Sequence, residues 1–190
     1  MKEKLKQVLR YMTSNFNEQQ LDMIVDRFKP GLVNKNEILL SEGDTCNSFY
    51  YVDKGCIRTY YLAKNGEEKT RYIMPEQHIG TALTSFIYQK PSFEAIDALE
   101  HTELLRISHD DFYRLLKEIP AWNEFYVKML EMAYAFQNRK IESMVTLSAK
   151  QRYNELLSEN PALIQRVSNK VLASYLDIRQ ETLSRLKSRD

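Results

Sequence analysis

The sequence predicts an α+β protein: an N-terminal antiparallel β-roll, then a long helix, then a C-terminal helix-turn-helix that ends without a wing. Three observations predict it. All five glycines fall between Gly31 and Gly80, among short segments rich in β-formers. Residues 121–146 then run without a glycine or a proline. Finally, residues 166–190 hold two short apolar repeats at helical spacing, parted by Asp177-Ile178-Arg179.

A chain of 190 residues has room for one large or two small domains. With 43% hydrophobic and 28% charged residues it has the composition of a soluble globular protein. The first six residues, Met1 to Lys6, lead into no long apolar run, so neither a signal peptide nor a membrane span is expected, and a cytoplasmic location follows. Cys46 and Cys56 are the only cysteines and lack metal-ligand spacing; a reduced pair is the expectation. No cofactor is expected.

In chain order, residues 2–28 read as two helices. Leu5, Val8, Leu9 and Met12 share one face of the first. Asn17 caps the second, with Gln20 at the capping-box position and Leu21, Ile24, Val25 and Phe28 as its apolar stripe. Strands are expected at 37–40, 49–52, 57–62, 70–74, 92–99 and 102–107. Asp53-Lys54-Gly55 and Asn65-Gly66 mark turns, the second a hairpin signal. Short strands at even spacing suggest an antiparallel roll or sandwich. A metal-dependent enzyme on such a roll needs clustered ligands, but His78, His101 and His109 are scattered, and no nucleophile–base pair appears, so no catalysis is expected.

His109-Asp110-Asp111 opens a further helix, its acids suited to the positive end of the dipole. After Ile119-Pro120 comes the long helix, roughly 40 Å at ~1.5 Å per residue. Tyr126, Leu130, Ala133, Gln137, Lys140 and Met144 recur at 4-3-4-3-4 spacing, flanked by Met129, Phe136 and Ile141. That is an imperfect coiled-coil seam on a helix longer than one roll can cover, so a homodimer is expected. Segments 148–159 and 161–165 then lead into the C-terminal motif without a flexible tether.

Ser168 is a good N-cap for the first helix of that motif, with Val171, Leu172, Tyr175 and Leu176 on its apolar face. Thr182, Leu183 and Leu186 give the second helix a short apolar face. Its other face carries Gln180, Glu181, Ser184, Arg185 and Lys187. Arg185 suits guanine O6 and N7, Glu181 the cytosine amino group and Gln180 adenine, so Gln180, Glu181, Ser184 and Arg185 are the expected base readers. Ser168, Lys170, Arg179, Thr182, Lys187 and Arg189 are the expected phosphate contacts. Charge agrees: residues 166–190 hold six basic and three acidic side chains, the rest of the chain 21 and 23.

Ala173-Ser174-Tyr175-Leu176 followed by Glu181-Thr182-Leu183-Ser184-Arg185 resembles the helix-turn-helix of the Crp/Fnr family of bacterial transcription regulators, most of all its short Bacteroidetes-type members. Glu42-Gly43-Asp44 and Val52-Asp53-Lys54-Gly55-Cys56-Ile57-Arg58 resemble the recurring turns of that family's cyclic-nucleotide-binding-like roll. The resemblance implies a segment 1–118 that senses an effector, a dimerisation helix at 119–147 and a DNA-binding segment at 148–190. It implies that Glu181 and Arg185 read an inverted-repeat site in double-stranded DNA, with RNA polymerase as a candidate partner. Members with arginine in place of Gln180 read an additional guanine, which this chain does not. It also implies an effector pocket around Gly80, Thr81, Ala82, Lys90 and Ser92. Cyclic-nucleotide binders carry a glutamate where this chain has Thr81 and an arginine near Lys90-Pro91-Ser92, so a small molecule other than cyclic AMP is expected. With no N-terminal cysteine cluster, an iron–sulfur sensor is not expected. Two departures fall in the turn. Asp177 stands for the usual glycine, and Arg179 for a serine or threonine N-cap, a loss of ~1 kcal/mol. The altered turn and absent wing motivate the rival expectation: a ligand-binding or protein-interaction module of the same fold that has lost DNA binding.

Overall fold

The computed structural model describes residues 1–188, so Arg189, an expected phosphate contact, lies outside the described residues. Two helices come first, α1 (Lys2–Met12) and α2 (Glu18–Arg27). Asn17 and Gln20 close the expected capping box, each side chain bonding the other's backbone N–H. Eight strands follow: β1 (Lys29–Val33), β2 (Ile38–Leu40), β3 (Ser48–Lys54), β4 (Ile57–Leu62), β5 (Glu68–Met74), β6 (Ile79–Gly80), β7 (Glu94–Ala98) and β8 (Thr102–Ser108), with the short helix α3 (Leu83–Tyr88) before β7. They form two four-stranded antiparallel sheets, ordered β1-β8-β3-β6 and β2-β7-β4-β5. This is the expected roll.

Two strands were not legible. β1 contains Pro30 and Gly31, which argue against a strand; it survives because it is an outer strand, where a missing N–H costs little. β6 is two residues long, too short for any periodicity. At the other end of the roll, Ser92 leaves the expected strand because its hydroxyl is spent on the Glu94 backbone, accepting from its N–H and donating to its C=O. Gly55 is needed for its turn: φ is +92°, and a Cβ there would stand 2.6 Å from the His101 carbonyl oxygen.

Helices complete the chain: α4 (His109–Glu118), α5 (Pro120–Thr146), α6 (Ala149–Glu159), α7 (Pro161–Arg166), α8 (Asn169–Leu176) and α9 (Gln180–Lys187). The first core joins α1, α2, α4 and the start of α5 to the roll around Phe49, Phe86, Phe112, Trp122 and Phe125. The indole N–H of Trp122 donates to the Phe112 carbonyl at 3.2 Å, so the ring is buried without an orphan donor. A second core joins α6–α9 around Tyr153, Leu156, Leu172, Leu176 and Leu183, and takes in Cys56 and Ile73 from the roll.

Two of the residues expected in the α5 seam, Tyr126 and Lys140, face their own chain. Tyr126 packs on α4: its ring lies 5.5 Å from Phe112 and its hydroxyl 3.4 Å from that of Tyr113. Phe136 lies edge-on to Tyr72, and Lys140 bonds the β5 backbone. Among the exposed apolar residues of α5, Val127, Tyr134 and Ile141, 54%, 70% and 60% exposed, alternate with Leu130, Gln137 and Met144 at 3-4-3-4-3 spacing, while Met132 and Val145 are exposed off this stripe. Leu130, Gln137 and Met144 stay on this stripe. The Tyr126 ring fills an aromatic site on α4, which leaves Val127 rather than Tyr126 in solvent.

Candidate nucleic-acid interface

The C-terminal motif is built by local chemistry. The Ser168 hydroxyl accepts the Val171 N–H and starts α8. Asp177 ends it in the left-handed conformation, φ 51° and ψ 52°, the geometry expected where glycine is usual. The Ile178 N–H reaches back to the Ala173 carbonyl, and its side chain packs into the second core. Arg179 occupies the N-cap of α9 with no side-chain cap, leaving first-turn N–H groups unmet. Leu183 anchors α9, fully buried.

Gln180, Glu181, Ser184 and Arg185 are all exposed and share the outward face of α9. The expected phosphate set is less uniform. Arg179 and the Ser168 cap are exposed, and Thr182 is half-buried. Lys170 is paired with Glu68 of the roll at 3.2 Å. Lys187 is turned inward, donating to Asn169 Oδ1 at 2.7 Å and the Ile164 carbonyl at 3.3 Å.

In the expected effector pocket, polar atoms are spent on the loop itself. Thr81 is buried; its hydroxyl donates to the Ser48 carbonyl at 2.7 Å and lies 3.0 Å from Cys46 Sγ. Ala82 is buried and Lys90 is exposed. Ser92 bonds Glu94, and the Glu94 carboxylate pairs with Arg71. Gly80, on β6, has Met74 Cε 2.9 Å from where a Cβ would sit. A separate cavity of about 110 Å³ opens between α5, α6 and α8, beside Lys140, Arg152 and Tyr175.

Several residues at this junction carry no sequence signal. Arg152 donates to the carbonyls of Leu176 and Leu147, tying α6 to the ends of α8 and α5. Arg166 forks onto Glu76 at 2.7 and 2.9 Å and also meets Glu100. That guanidinium, opposed by burial and aided by the Gly55 N–H, holds the Glu76 carboxyl down at about 2. Burial lowers the Lys140 amine to about 7, with Arg71 nearby adding to the shift. Burial pushes the Cys56 thiol up to about 12, so it is not a thiolate.

Comparison with known proteins agrees with this geometry. Residues 32–119 match the cyclic nucleotide-binding domain family. The anaerobic regulatory protein of Haemophilus influenzae is 29% identical over 196 residues, covering 91% of this chain and 71% of its own. The transcriptional activator protein Anr of Pseudomonas protegens is 27% identical, covering 89% and 72%. Among solved structures, FixK2 of Bradyrhizobium japonicum superposes with a TM-score of 0.73 at 15% identity, over 85% of this chain and 83% of that one. Nine-tenths of the chain is thus similar to bacterial regulators of the Crp/Fnr type. Helix α8 also touches the roll, since its Ser174 and Lys170 bond β5.

Proposed function

We infer that this protein is a Crp/Fnr-type DNA-binding transcription regulator, not an enzyme, acting in the cytoplasm as a homodimer on an inverted-repeat site. No helix among the described residues is long and apolar enough to cross a membrane. The observation that carries the reading is the α9 face: four polar side chains fitted to base edges stand in solvent on a helix locked from behind by buried Leu183. Residues 1–118 sense an effector, 119–147 dimerise and 148–190 bind DNA. RNA polymerase is a further partner in this reading. The effector is a small molecule other than cyclic AMP, since neither Thr81 nor the 90–92 loop offers the acid or arginine a cyclic nucleotide needs. Arg185 contacts a guanine and Glu181 a cytosine in each half-site, with Arg179 and Lys170 on phosphates.

Selection from random duplexes with the wild type and Arg185→Ala tests this. The wild type enriches an inverted repeat, and the variant loses preference at one base pair per half-site, about 1–3 kcal/mol each. Equal enrichment of one motif by both proteins removes Arg185 as a reader. No salt-dependent binding by either favours the rival, a module of this fold without DNA binding.

A further inference from the structure

Strand β5 is the outer strand of its sheet, so one row of its backbone groups has no strand partner. Helix α8 takes that place. The Ser174 hydroxyl accepts the Thr70 N–H at 2.7 Å and donates to the Glu68 carbonyl at 2.7 Å. Lys140 of α5 covers the next carbonyl, that of Arg71, at 2.7 Å. Around this seam the basic residues of α7 and α8 meet carboxylates of the roll. Lys170 pairs with Glu68, and Arg166 with Glu76 and Glu100. Beneath it, Cys56 and Ile73 are buried in the core of the helical segment.

In a helix-turn-helix, the first helix runs across the phosphate backbone while the second enters the groove. Here Lys170 of that first helix is bound to Glu68 of the same chain, and Arg166, just before it, to two further carboxylates. Phosphate and roll therefore compete for the same cations.

We propose that the α8–β5 contact is an autoinhibitory latch: the roll holds α8 through Ser174 and its carboxylates, and duplex DNA binds once α8 is released. This rests on the reading of α8–α9 as a DNA-binding motif. An effector acting on the roll then has a direct handle on the motif, because β5 belongs to the roll's own sheet.

Ser174→Ala in the full chain tests the latch, since Ser174 has no part in the reading face. Two measurements are made: affinity for a pool of random-sequence duplexes at low salt, and the rate at which Cys56 is alkylated, mapped by mass spectrometry to separate it from Cys46. Loss of the two hydroxyl bonds is expected to raise both by about three- to tenfold. Glu100→Gln, which removes one of the Arg166 carboxylates without touching the edge, is a second variant expected to move both in the same direction if Ser174→Ala folds poorly. Faster Cys56 alkylation with unchanged or weaker DNA binding overturns the latch and leaves the DNA reading intact. No change in either quantity in both variants shows that these contacts do not hold α8, and also overturns it. If no protein binds duplex at all, the DNA reading itself fails, and the latch falls with it.

Discussion

Lys140 is a residue where three elements meet. Its ammonium group donates to the Arg71 and Thr70 carbonyls of β5 and lies 3.9 Å from the centre of the Tyr175 ring on α8. Among the described residues no carboxylate is bonded to it. The Arg71 guanidinium opposes its charge, while Asp177 at the end of α8 supports it weakly. Burial is the larger effect, and the amine is held near 7 against an ordinary value of 10.5. The sign of the linkage follows. Between pH 7 and pH 10.5 the folded protein binds fewer protons at this site than the unfolded chain, so stability rises with pH across that window. Below pH 7 the cost of burying the charge is fully present. The expected result is a melting temperature that climbs from pH 7 to pH 9 in the wild type, with that slope absent in Lys140→Met. NMR of the Lys140 side chain gives an independent check: a midpoint near 10 rules out the buried charge. Nothing in the sequence marks this lysine, which reads there as a polar slip in a coiled-coil seam.

Among the elements, legibility followed locality. The cap of α2, the Asn65-Gly66 hairpin and the left-handed Asp177 were readable because each is decided by a few neighbouring residues. The docking of α8 was not, because the Ser174–Thr70 bond spans 104 residues and a lone serine carries no pattern. Helix α5 lies between these cases. Its length was plain, while its spacing alone fits two stripes. Two stripes, one starting at Tyr126 and one at Val127, share Leu130, Gln137 and Met144, and only the packing of Tyr126 on α4 and of Phe136 on β5 separates them. The stripe from Val127 leaves Tyr134 and Ile141 in solvent on one chain, and we propose that a second copy of α5 buries them. Ile141→Glu then places an unpaired carboxylate in the dimer seam, at about 3–5 kcal/mol. Sedimentation at micromolar concentration is expected to show a dimer for the wild type and a folded monomer for the variant. A variant that remains dimeric places the subunit interface elsewhere.

At the scale of the whole molecule, the two cores are not independent, because the helical segment borrows Cys56 and Ile73 from the roll. A ligand that binds the folded roll therefore stabilises a surface on which α8 also rests, and the melting transition of the chain reports its binding. That makes cyclic AMP simple to test. A ligand at 100 times its dissociation constant adds about 2.7 kcal/mol to the folded state. For a chain of this size each kilocalorie moves the midpoint by about 2–4 °C. Micromolar binding would thus show as a rise of at least about 5 °C in about 1 mM nucleotide. The geometry gives no reason to expect one. Thr81 has its hydroxyl on the Ser48 carbonyl, Ser92 has its own on Glu94, and Arg71 is engaged by the Glu94 carboxylate. A cyclic phosphate entering beside Ser92 would stand near the buried Glu94 carboxylate, already paired with Arg71, an arrangement that charge repulsion and desolvation both oppose. The expected outcome is a shift under about 1 °C with cyclic AMP and with cyclic GMP. A rise of several degrees with either would show that the roll opens at Glu94, and would return this chain to the cyclic-nucleotide sensors.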